Sequence, residues 1–578
     1  MKRSFLICLL IGSITLGFAQ SNLNNLKIPK EKIYLHQNST FLMSGEYLFY
    51  KVYCLNGQTN NLTDFSKMAY VELIGSDGKI VFSHKIRLDK GKGQGDFFIP
   101  TSIASGNYKL VAFTQWMRNG SVEDFYQNDV VILNPFQTNQ NGLLRASNDS
   151  LKLQNGPKPK SVDDQSKGLS FSLVVSQKDS QKRENITLKI DDLPENWYGN
   201  YSVSVRRTED LGLPLRTSAL GFEKLTQTAT TNYTNGASEG SWLPELRGEL
   251  ISGVVLNKET GLPAANKKVG ISIPGTNYLF KISSTKTDGK FYFNLDRPYM
   301  NQEAIVQIVG DDRDNFQIQM DKSMTPDYTK LVFNDFVMTE EMQELILAHS
   351  IKNQVQNAYA STRVDSLRKI EDFPPFFSTP SHEYYLDDYT RFPTIRETIL
   401  EVIEQATTRQ KQGKQSIHVR VYDDNVETGL RSLLLIDGLF IQDHNTVVEA
   451  KAAKIKKMSV VSEQYLYGSE VFEGIIAMES FDGDFIESLP QLKGQETPLF
   501  RPEAQKEYYH QDYKYPERYK RIPDFRTQLV WEPEFDLTKK NNEYSFYTSD
   551  ISGSYEVIIE GFNKKGRALS LRQVFEVK

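Results

Sequence analysis

Cysteine is almost absent from this chain, with only Cys8 and Cys54 among 578 residues. Because Cys8 falls in an expected export signal, the mature chain cannot form an internal disulfide, and its stability must come from packing. Histidine is also scarce: there are seven, and none begins an HExxH or HxxE pattern. The sequence therefore predicts no zinc peptidase site. Walker and Gly-x-Ser-x-Gly motifs are missing too, and Gly270-Ile271-Ser272-Ile273 is typical of a strand.

Long hydrophobic runs are missing after the first twenty residues. Residues 1–20 combine Lys2 and Arg3 with an apolar run from Phe5 to Phe18, a pattern typical of a cleaved export signal. No later segment reaches ~18 consecutive apolar residues, so we expect no transmembrane helix in the mature chain. A net charge of −5 leaves no cationic footprint for nucleic acid. These features indicate an exported protein with no nucleic-acid partner.

Aromatic residues are plentiful, with 29 Tyr and 33 Phe, which suits strands packed as sandwiches. Short alternating runs separated by turn pairs fill residues 27–136 and predict a β-sandwich. In the run 46–53, EYLFYKVY, apolar residues occupy both faces, so we expect this strand to be covered on both sides. The strand and turn motifs of this region are Lys32-Ile33-Tyr34, Ser44-Gly45-Glu46, Gly106-Asn107-Tyr108 and Trp116-Met117-Arg118-Asn119. Their order resembles the macroglobulin-type domain that opens a family of exported Bacteroidota proteins, although Ser39-Thr40 replaces the usual Lys-Pro.

Two further regions have the pattern of sandwich strands. Residues 168–245 contain FSLVVS, NITLKI and NYSVSVRR and predict a second macroglobulin-like sandwich. The C-terminal residues 525–578 carry four more strand patterns. They form either one more sandwich sheet or the missing part of the second sandwich.

Residues 246–312 predict a small third sandwich. Thr260-Gly261-Leu262-Pro263 and Asp288-Gly289 set tight turns, and Phe291 and Phe293 alternate toward one face. The region resembles the carboxypeptidase regulatory-like, prealbumin-type domain. After it, a helix is expected over Thr339 to Tyr359, capped by Thr339. Its expected apolar stripe comprises Leu345, Ala348, Ile351, Val355 and Ala358.

Residues 365–486 combine helix and strand patterns. Thr394 and Glu397 form a capping box ahead of an apolar helix face. The strand and turn patterns that follow are Leu433 to Ile436, Asp437-Gly438, Ile455 to Val461, Tyr467-Gly468 and Gly474 to Met478. Their order resembles the plug domain of TonB-dependent receptors. Such receptors close a barrel of about 22 strands, and we expect Glu487 to Lys578 to be too short and irregular to form one.

Candidate reactive residues each have a simpler structural interpretation. Cys54 lacks the Gly-Glu-Gln of a thioester and suits a buried core position. The acidic run Asp311-Asp312-Arg313-Asp314 suits calcium or a solvated turn. The cluster of Tyr508, Tyr509, Tyr513, Tyr515 and Tyr519 suits either sugar stacking or a linker laid over neighbouring domains. The remaining candidates are the glycines from Gly91 to Gly95, which suit a hairpin loop, and Lys451, Lys454, Lys456 and Lys457, which suit a solvated face. The sequence assigns no catalytic, cofactor or metal residue.

Together these patterns predict a mainly β, multi-domain array of β-sandwiches with one α+β, plug-like domain and no barrel. The expected segments are an export signal 1–20, sandwich 27–136, linker 137–167, second sandwich 168–245, third sandwich 246–312, helical connector 313–364, plug-like domain 365–486, Tyr-rich linker 487–524 and C-terminal sheet 525–578.

The resemblance implies a non-enzymatic binding or scaffold protein of the periplasm or outer membrane. Its plug-like domain would dock to, or close, an outer-membrane protein. Two alternatives stay open: a diverged, barrel-less component of TonB-dependent nutrient uptake, and a macroglobulin-like protease inhibitor or accessory without a thioester. No TonB box is recognisable, and the inhibitor alternative rests on fold analogy.

Overall fold

The protein is described here from a computed structural model covering residues 29–144, 169–209, 211–228, 242–275, 277–322, 324–377, 379–420, 429–488 and 494–578. Strands greatly outnumber helices and are grouped into separate sheets, so the expected mainly β, multi-domain fold class is confirmed. The expected export signal lies outside the described residues. Much of the expected linker 137–167 lies outside them as well.

The first sandwich contains eight strands. They are β1 Glu31–Gln37, β2 Phe41–Met43, β3 Tyr47–Asn56, β4 Met68–Gly75, β5 Ile80–Arg87, β6 Lys92–Phe98, β7 Gly106–Phe113 and β8 Tyr126–Leu133. One sheet has the order β1-β3-β6 and the other the order β2-β8-β7-β4-β5. Strand β3 is buried on both faces from Tyr50 to Leu55, including the charged Lys51, because another sandwich covers its outer face.

The next segment starts a second sandwich with β9 Ser172–Val175, β10 Asp179–Ser180, β11 Asn185–Asp191 and β12 Gly199–Arg207. Helix α1, Ala219–Thr228, follows. This stretch was expected to belong to the second sandwich, residues 168–245, and no helix was predicted there. The helix forms because Ala219 and Phe222 pack into the core of the first sandwich, where the Phe222 ring lies 5.4 Å from that of Tyr34.

The third sandwich contains β13 Glu249–Asn257, β14 Lys268–Ile273, β15 Leu279–Ser284, β16 Lys290–Leu295, β17 Glu303–Val309 and β18 Phe316–Met320. The expected end at residue 312 is too early, because β18 pairs with β13. Helix α2, Gln343–Ala358, and the short β19, Ser366–Leu367, come next. Helix α2 starts after a 3-10 turn, and the Thr339 side chain makes no capping hydrogen bond, so the expected cap is wrong.

The apolar stripe expected for α2 does not form its buried face. Leu345 and Ile351 are 41% and 52% exposed, whereas His349, Ser350 and Asn353 are buried. Polar side chains turn inward because hydrogen-bonding and charged partners of other segments meet them there. The Asn353 amide donates to the Ser44 carbonyl at 2.8 Å, for example. The spacing of the apolar residues therefore predicted the helix correctly but predicted the wrong buried face.

The α+β domain follows with β20 His382–Tyr385, α3 Ile395–Val402, β21 Ala406–Lys411, β22 Lys414–Val419, β23 Leu433–Ile436, β24 Leu439–Ile441, α4 Asn445–Val448, β25 Ile455–Val461, β26 Tyr465–Tyr467, β27 Glu470–Phe472 and β28 Ile475–Ser480. Its mixed sheet has the order β20-β25-β28-β23-β24. The capping box of Thr394 and Glu397 is present at the start of α3, as expected.

The remaining elements are β29 Gln495–Pro498, β30 Lys506–Glu507, α5 Pro516–Tyr519, β31 Gln528–Leu537, β32 Glu543–Tyr547, β33 Gly553–Asn563 and β34 Ala568–Val577. The expected Tyr-rich linker is partly strand, because β29 extends the third sandwich beside β17 and β30 pairs with β19. In this way the backbone N–H and C=O groups at the edges of β17 and β19 gain hydrogen-bonding partners.

The four C-terminal strands complete the second sandwich. Its large sheet has the order β10-β34-β33-β12-β31, and its small sheet the order β32-β11-β9. Residues 525–578 are therefore not a separate sheet, and the second of the two interpretations left open is the observed one. The physical reason is that β12 has hydrogen-bonding partners on both edges only when β31 and β33 flank it.

Replacing Gly95 by alanine is expected to destabilise the first sandwich. Gly95 pairs with Tyr50 across β6 and β3, and a Cβ there would lie 2.3 Å from the Tyr50 hydroxyl. Because Tyr50 is fully buried and cannot swing away, we expect a cost of about 1–3 kcal/mol, measured as a lower urea midpoint of the intact protein. The matched control is Gly106→Ala in β7, where a Cβ stays 3.5 Å from Tyr108. Equal losses in both variants would contradict the packing argument.

Candidate functional site

The first and second sandwiches are joined by buried polar groups. The Lys51 ammonium donates to the Asn200 Oδ1 at 2.8 Å and to the Pro533 carbonyl at 2.6 Å, and it pairs with Glu534. Burial lowers the pKa of Lys51 to about 8, although Glu534 opposes that shift. A lysine this deeply buried keeps its charge only where partners are fixed around it. The contact therefore sets the relative position of the two sandwiches.

Beside this contact lies a cleft of about 900 Å³. One wall is the loop Asn38–Phe41 of the first sandwich, and the floor is the outer face of the large sheet of the second sandwich, from β12, β33 and β34. Thr208, Glu209 and Arg216 of the segment after β12, together with His349 of α2 and Thr527, contribute to the remaining walls. Five separate stretches of the described chain therefore enclose one polar cavity.

Ion pairs hold the charged side chains of the cleft. Arg216 binds Glu560 through both terminal nitrogens, with Nη2 to Oε1 at 2.8 Å, and the Tyr34 hydroxyl also donates to that carboxylate. Burial alone would raise the pKa of Glu560, but Arg216 lowers it to about 2. At the open side, Arg572 pairs with Glu556. The Glu560 carboxylate is therefore ionised at neutral pH, and the Arg216 guanidinium is fixed in position.

His349 joins α2 to the cleft by contacts with two carboxylates. Its Nδ1 lies 2.7 Å from Glu209 Oε2, and its Nε2 lies 3.1 Å from Glu46 Oε1, close enough for an ion pair although not aligned as a hydrogen bond. Arg206 and Arg207 bind the same two carboxylates, at 2.8 and 3.0 Å. Burial alone would lower the pKa of His349, but Glu46 and Glu209 raise it to about 9. His349 is therefore charged at neutral pH.

A second junction covers one face of the α+β sheet. Phe280 and Val309 of the third sandwich pack against Leu433, Leu435 and Phe440 in one apolar cluster. The Tyr467 hydroxyl also donates to the Phe280 carbonyl at 2.5 Å. The continuous apolar run of β23 follows from this arrangement, because α3 covers the opposite face of the same sheet.

The turn between β23 and β24 is fixed from both sides. Asp437 has a φ of 47° and Gly438 a φ of 81°, as a tight hairpin turn requires. The buried Asp437 carboxylate accepts bonds from the backbone N–H and hydroxyl of Ser480, both at 2.7 Å, and from the Phe485 N–H at 3.1 Å. A Cβ on Gly438 would lie 2.1 Å from that of Tyr278. This turn is therefore part of the junction and not a free loop.

The side of the α+β domain away from the third sandwich is exposed. Leu400 on α3 is 44% exposed, and Tyr385 and Tyr389 near the free edge of the sheet are 47% and 45% exposed. The lysines of the run 451–457 lie in this domain. Lys454 pairs with Asp484, and Lys457 with Glu383 and Glu479. The solvated interpretation of that lysine run fits these contacts.

The other residues singled out in the sequence lie apart from one another. Cys54 is fully buried in β3, where burial raises the pKa of its thiol well above the usual value. Asp311 and Asp312 lie in an exposed turn and pair with Arg431 and Lys267. In the Tyr cluster, the Tyr508 hydroxyl donates to Asp96 of the first sandwich at 3.2 Å.

The Tyr513 hydroxyl donates to the Asp524 carboxylate at 2.7 Å. Tyr515, by contrast, is 76% exposed. The cluster is therefore mostly packed between domains. Among the described residues, no group of three or more His, Cys, Asp or Glu side chains is placed to hold a metal ion. None of the helices in the same part of the chain is long and apolar enough to cross a bilayer.

The cleft was not predicted from the sequence. Its cationic groups are Arg206 and Arg207 at the end of β12, Arg216 in a connecting segment, His349 on α2 and Arg572 on β34. None of them belongs to a local motif. The one available signal was the unusual concentration of charge in SVSVRRTED, where a sandwich strand ends in two arginines.

Among known proteins, the matches to this chain are solved structures. No family model matches the chain. No curated protein matches it either. It is similar to trypsin-activated alpha-2-macroglobulin from Escherichia coli at 9% identity, covering 95% of this chain and 41% of that one, with a TM-score of 0.22. It is also similar to Salmonella alpha-2-macroglobulin reacted with methylamine, at 7% identity, covering 95% of this chain and 39% of that one, with a TM-score of 0.22.

A Listeria innocua beta-glucosidase in complex with isofagomine matches 18% of this chain and 16% of its own, at 16% identity and a TM-score of 0.14. The chain spans less than half the length of the macroglobulins it matches.

Replacing His349 by glutamine is expected to remove a pH-dependent part of the stability. Because the folded pKa of His349, about 9, exceeds its unfolded value of 6.5, its contribution is complete below pH 6.5 and is lost as the pH rises through 9. The wild-type advantage in free energy of unfolding should therefore fall by on the order of 3 kcal/mol across that window. Urea unfolding at several pH values measures it.

The matched control is Ser350→Ala on the same buried face of α2, which removes no ionisable group. Its difference from wild type should stay constant with pH. A His349→Gln difference that is equally constant would show that the two carboxylates do not hold the imidazolium.

Proposed function

We propose that the protein is a non-enzymatic binding or scaffold protein of the cell envelope, in the periplasm or at the outer membrane. Its stacked sandwiches support the α+β domain. That domain is the plug-like part, which docks to an outer-membrane protein or closes it. The protein acts through surfaces that it presents and not through a reaction.

The single observation that supports this proposal most is the junction between the third sandwich and the α+β domain. Residues from β23, β24 and β28 share an apolar cluster with residues from β15 and β17. Exposing such a cluster to water costs about 25 cal/mol for every Å² of apolar surface. The α+β domain is therefore held in one orientation relative to the third sandwich.

This orientation determines which side a partner can contact. The sheet is covered by the third sandwich on one face and by α3 on the other. The outer surface of α3, with Leu400, and the sheet edge at β20, with Tyr385, remain exposed. Partly exposed aromatic and aliphatic side chains of this kind are common at protein interfaces. We place the docking surface there.

Site-specific crosslinking in intact cells of the native host tests the proposal. A photo-crosslinking amino acid at Leu400 is expected to form an adduct with an integral outer-membrane barrel protein, identified by mass spectrometry, because α3 faces the partner. The matched control is Val332, which is 79% exposed and lies outside the α+β domain. It should not form that adduct. Identical adducts at both positions, or none at Leu400 in a correctly exported protein, would refute the assigned docking surface.

A further inference from the structure

The cleft between the first two sandwiches has a surplus of positive charge in an acidic protein. Among the described residues, its walls carry five cationic side chains, namely Arg206, Arg207, Arg216, Arg572 and His349, and three carboxylates, Glu209, Glu556 and Glu560. Glu46 pairs with Arg206 and His349 and adds a fourth negative charge, so five positive charges exceed the negative ones by one. The whole chain has a net charge of −5. The described charged groups of the cleft are therefore slightly cationic in a protein that is acidic as a whole.

The guanidinium groups of Arg207 and Arg216 have more N–H groups than their protein partners use. Each has five N–H groups in a planar fork, which suits a carboxylate better than the point charge of a lysine does. Arg207 uses Nη1 on Glu209 and Nε on the Ser552 carbonyl at 3.4 Å. Arg216 uses its two terminal nitrogens on Glu560 and Tyr34. These pairs also hold the side chains in place, so a ligand orders few groups when it binds.

The neutral part of the lining is rich in hydroxyl and amide groups. It includes Asn38, Ser39, Thr40, Ser204, Thr208 and Ser218. Thr40 and Thr208 already donate to backbone carbonyls of the protein, and their hydroxyl oxygens still accept hydrogen bonds, as from sugar hydroxyls. The lining is more polar than apolar, and its apolar members are Phe41, Leu213, Pro214, Leu215 and Ile558. The volume of about 900 Å³ lies within the range of cavities that enclose a whole small ligand.

We propose that this cleft binds a short anionic oligosaccharide of the uronic acid type. The sugar carboxylates lie against the arginine side chains, and the sugar hydroxyls bond to the serine, threonine and asparagine groups of the same cleft. This site is independent of the docking surface on α3, because the two lie in different domains. Binding here and crosslinking there can each succeed or fail alone.

Titration calorimetry on the intact mature protein tests the proposal with three probes of matched length. Trigalacturonate is expected to bind, with affinity that falls as salt rises. Maltotriose lacks the carboxylates and triglutamate lacks the sugar hydroxyls, so each should bind at least about tenfold more weakly. Equal binding of triglutamate would mean a general anion or peptide site and would overturn the proposal. Absence of trigalacturonate binding at low salt would overturn it as well.

Two variants of opposite charge place the binding in the cleft. Arg572→Gln should weaken trigalacturonate binding by about fivefold or more, and Glu556→Gln should strengthen it by about threefold, since each changes the charge that faces the ligand. The matched control is Arg396→Gln on α3. Arg396 has 48% of its side chain exposed and one carboxylate partner, compared with 54% for Arg572. A loss of affinity in the control equal to that of Arg572→Gln would locate the binding elsewhere.

Discussion

The position of β12 between β31 and β33 is the constraint on which the rest of the structure depends. Hydrogen bonds on both edges of β12 join residues 199–207 to two strands near the C terminus. Everything between them, from α1 to α5, must therefore leave the second sandwich and return to it. The third sandwich, α2 and the α+β domain form one long insertion whose ends are held together by this sheet.

The buried charges follow from that closure. Lys51 is acceptable in the core because Asn200 and Glu534, from the two halves of the second sandwich, arrive together at its ammonium group. Removing one partner of such a contact would leave an uncompensated buried charge, which is strongly unfavourable. The same closure brings Glu560 of β33 to Arg216 and Tyr34. The cleft and its fixed ion pairs therefore result from how the chain closes and not from any one domain.

Local chemistry made several elements predictable. The capping box of Thr394 and Glu397, the Asp437-Gly438 turn and the strand Ile455–Val461 appear where their patterns place them. Helix α2 shows the limit of such reasoning, because its hydrophobic period predicts the opposite buried face. That prediction failed because Glu46 and Glu209, from distant segments, make His349 and not Leu345 the residue to bury.

The amino-acid sequence by itself determined the mainly β class and most strand positions, because alternation, turn residues and caps act over a few neighbouring residues. Only the tertiary structure decided which strands complete the second sandwich, which face of the α+β sheet is covered and which charges share a cleft. Arg216 and Glu560 are 344 positions apart. No local pattern records a contact between them, because it exists only after both sandwiches have closed.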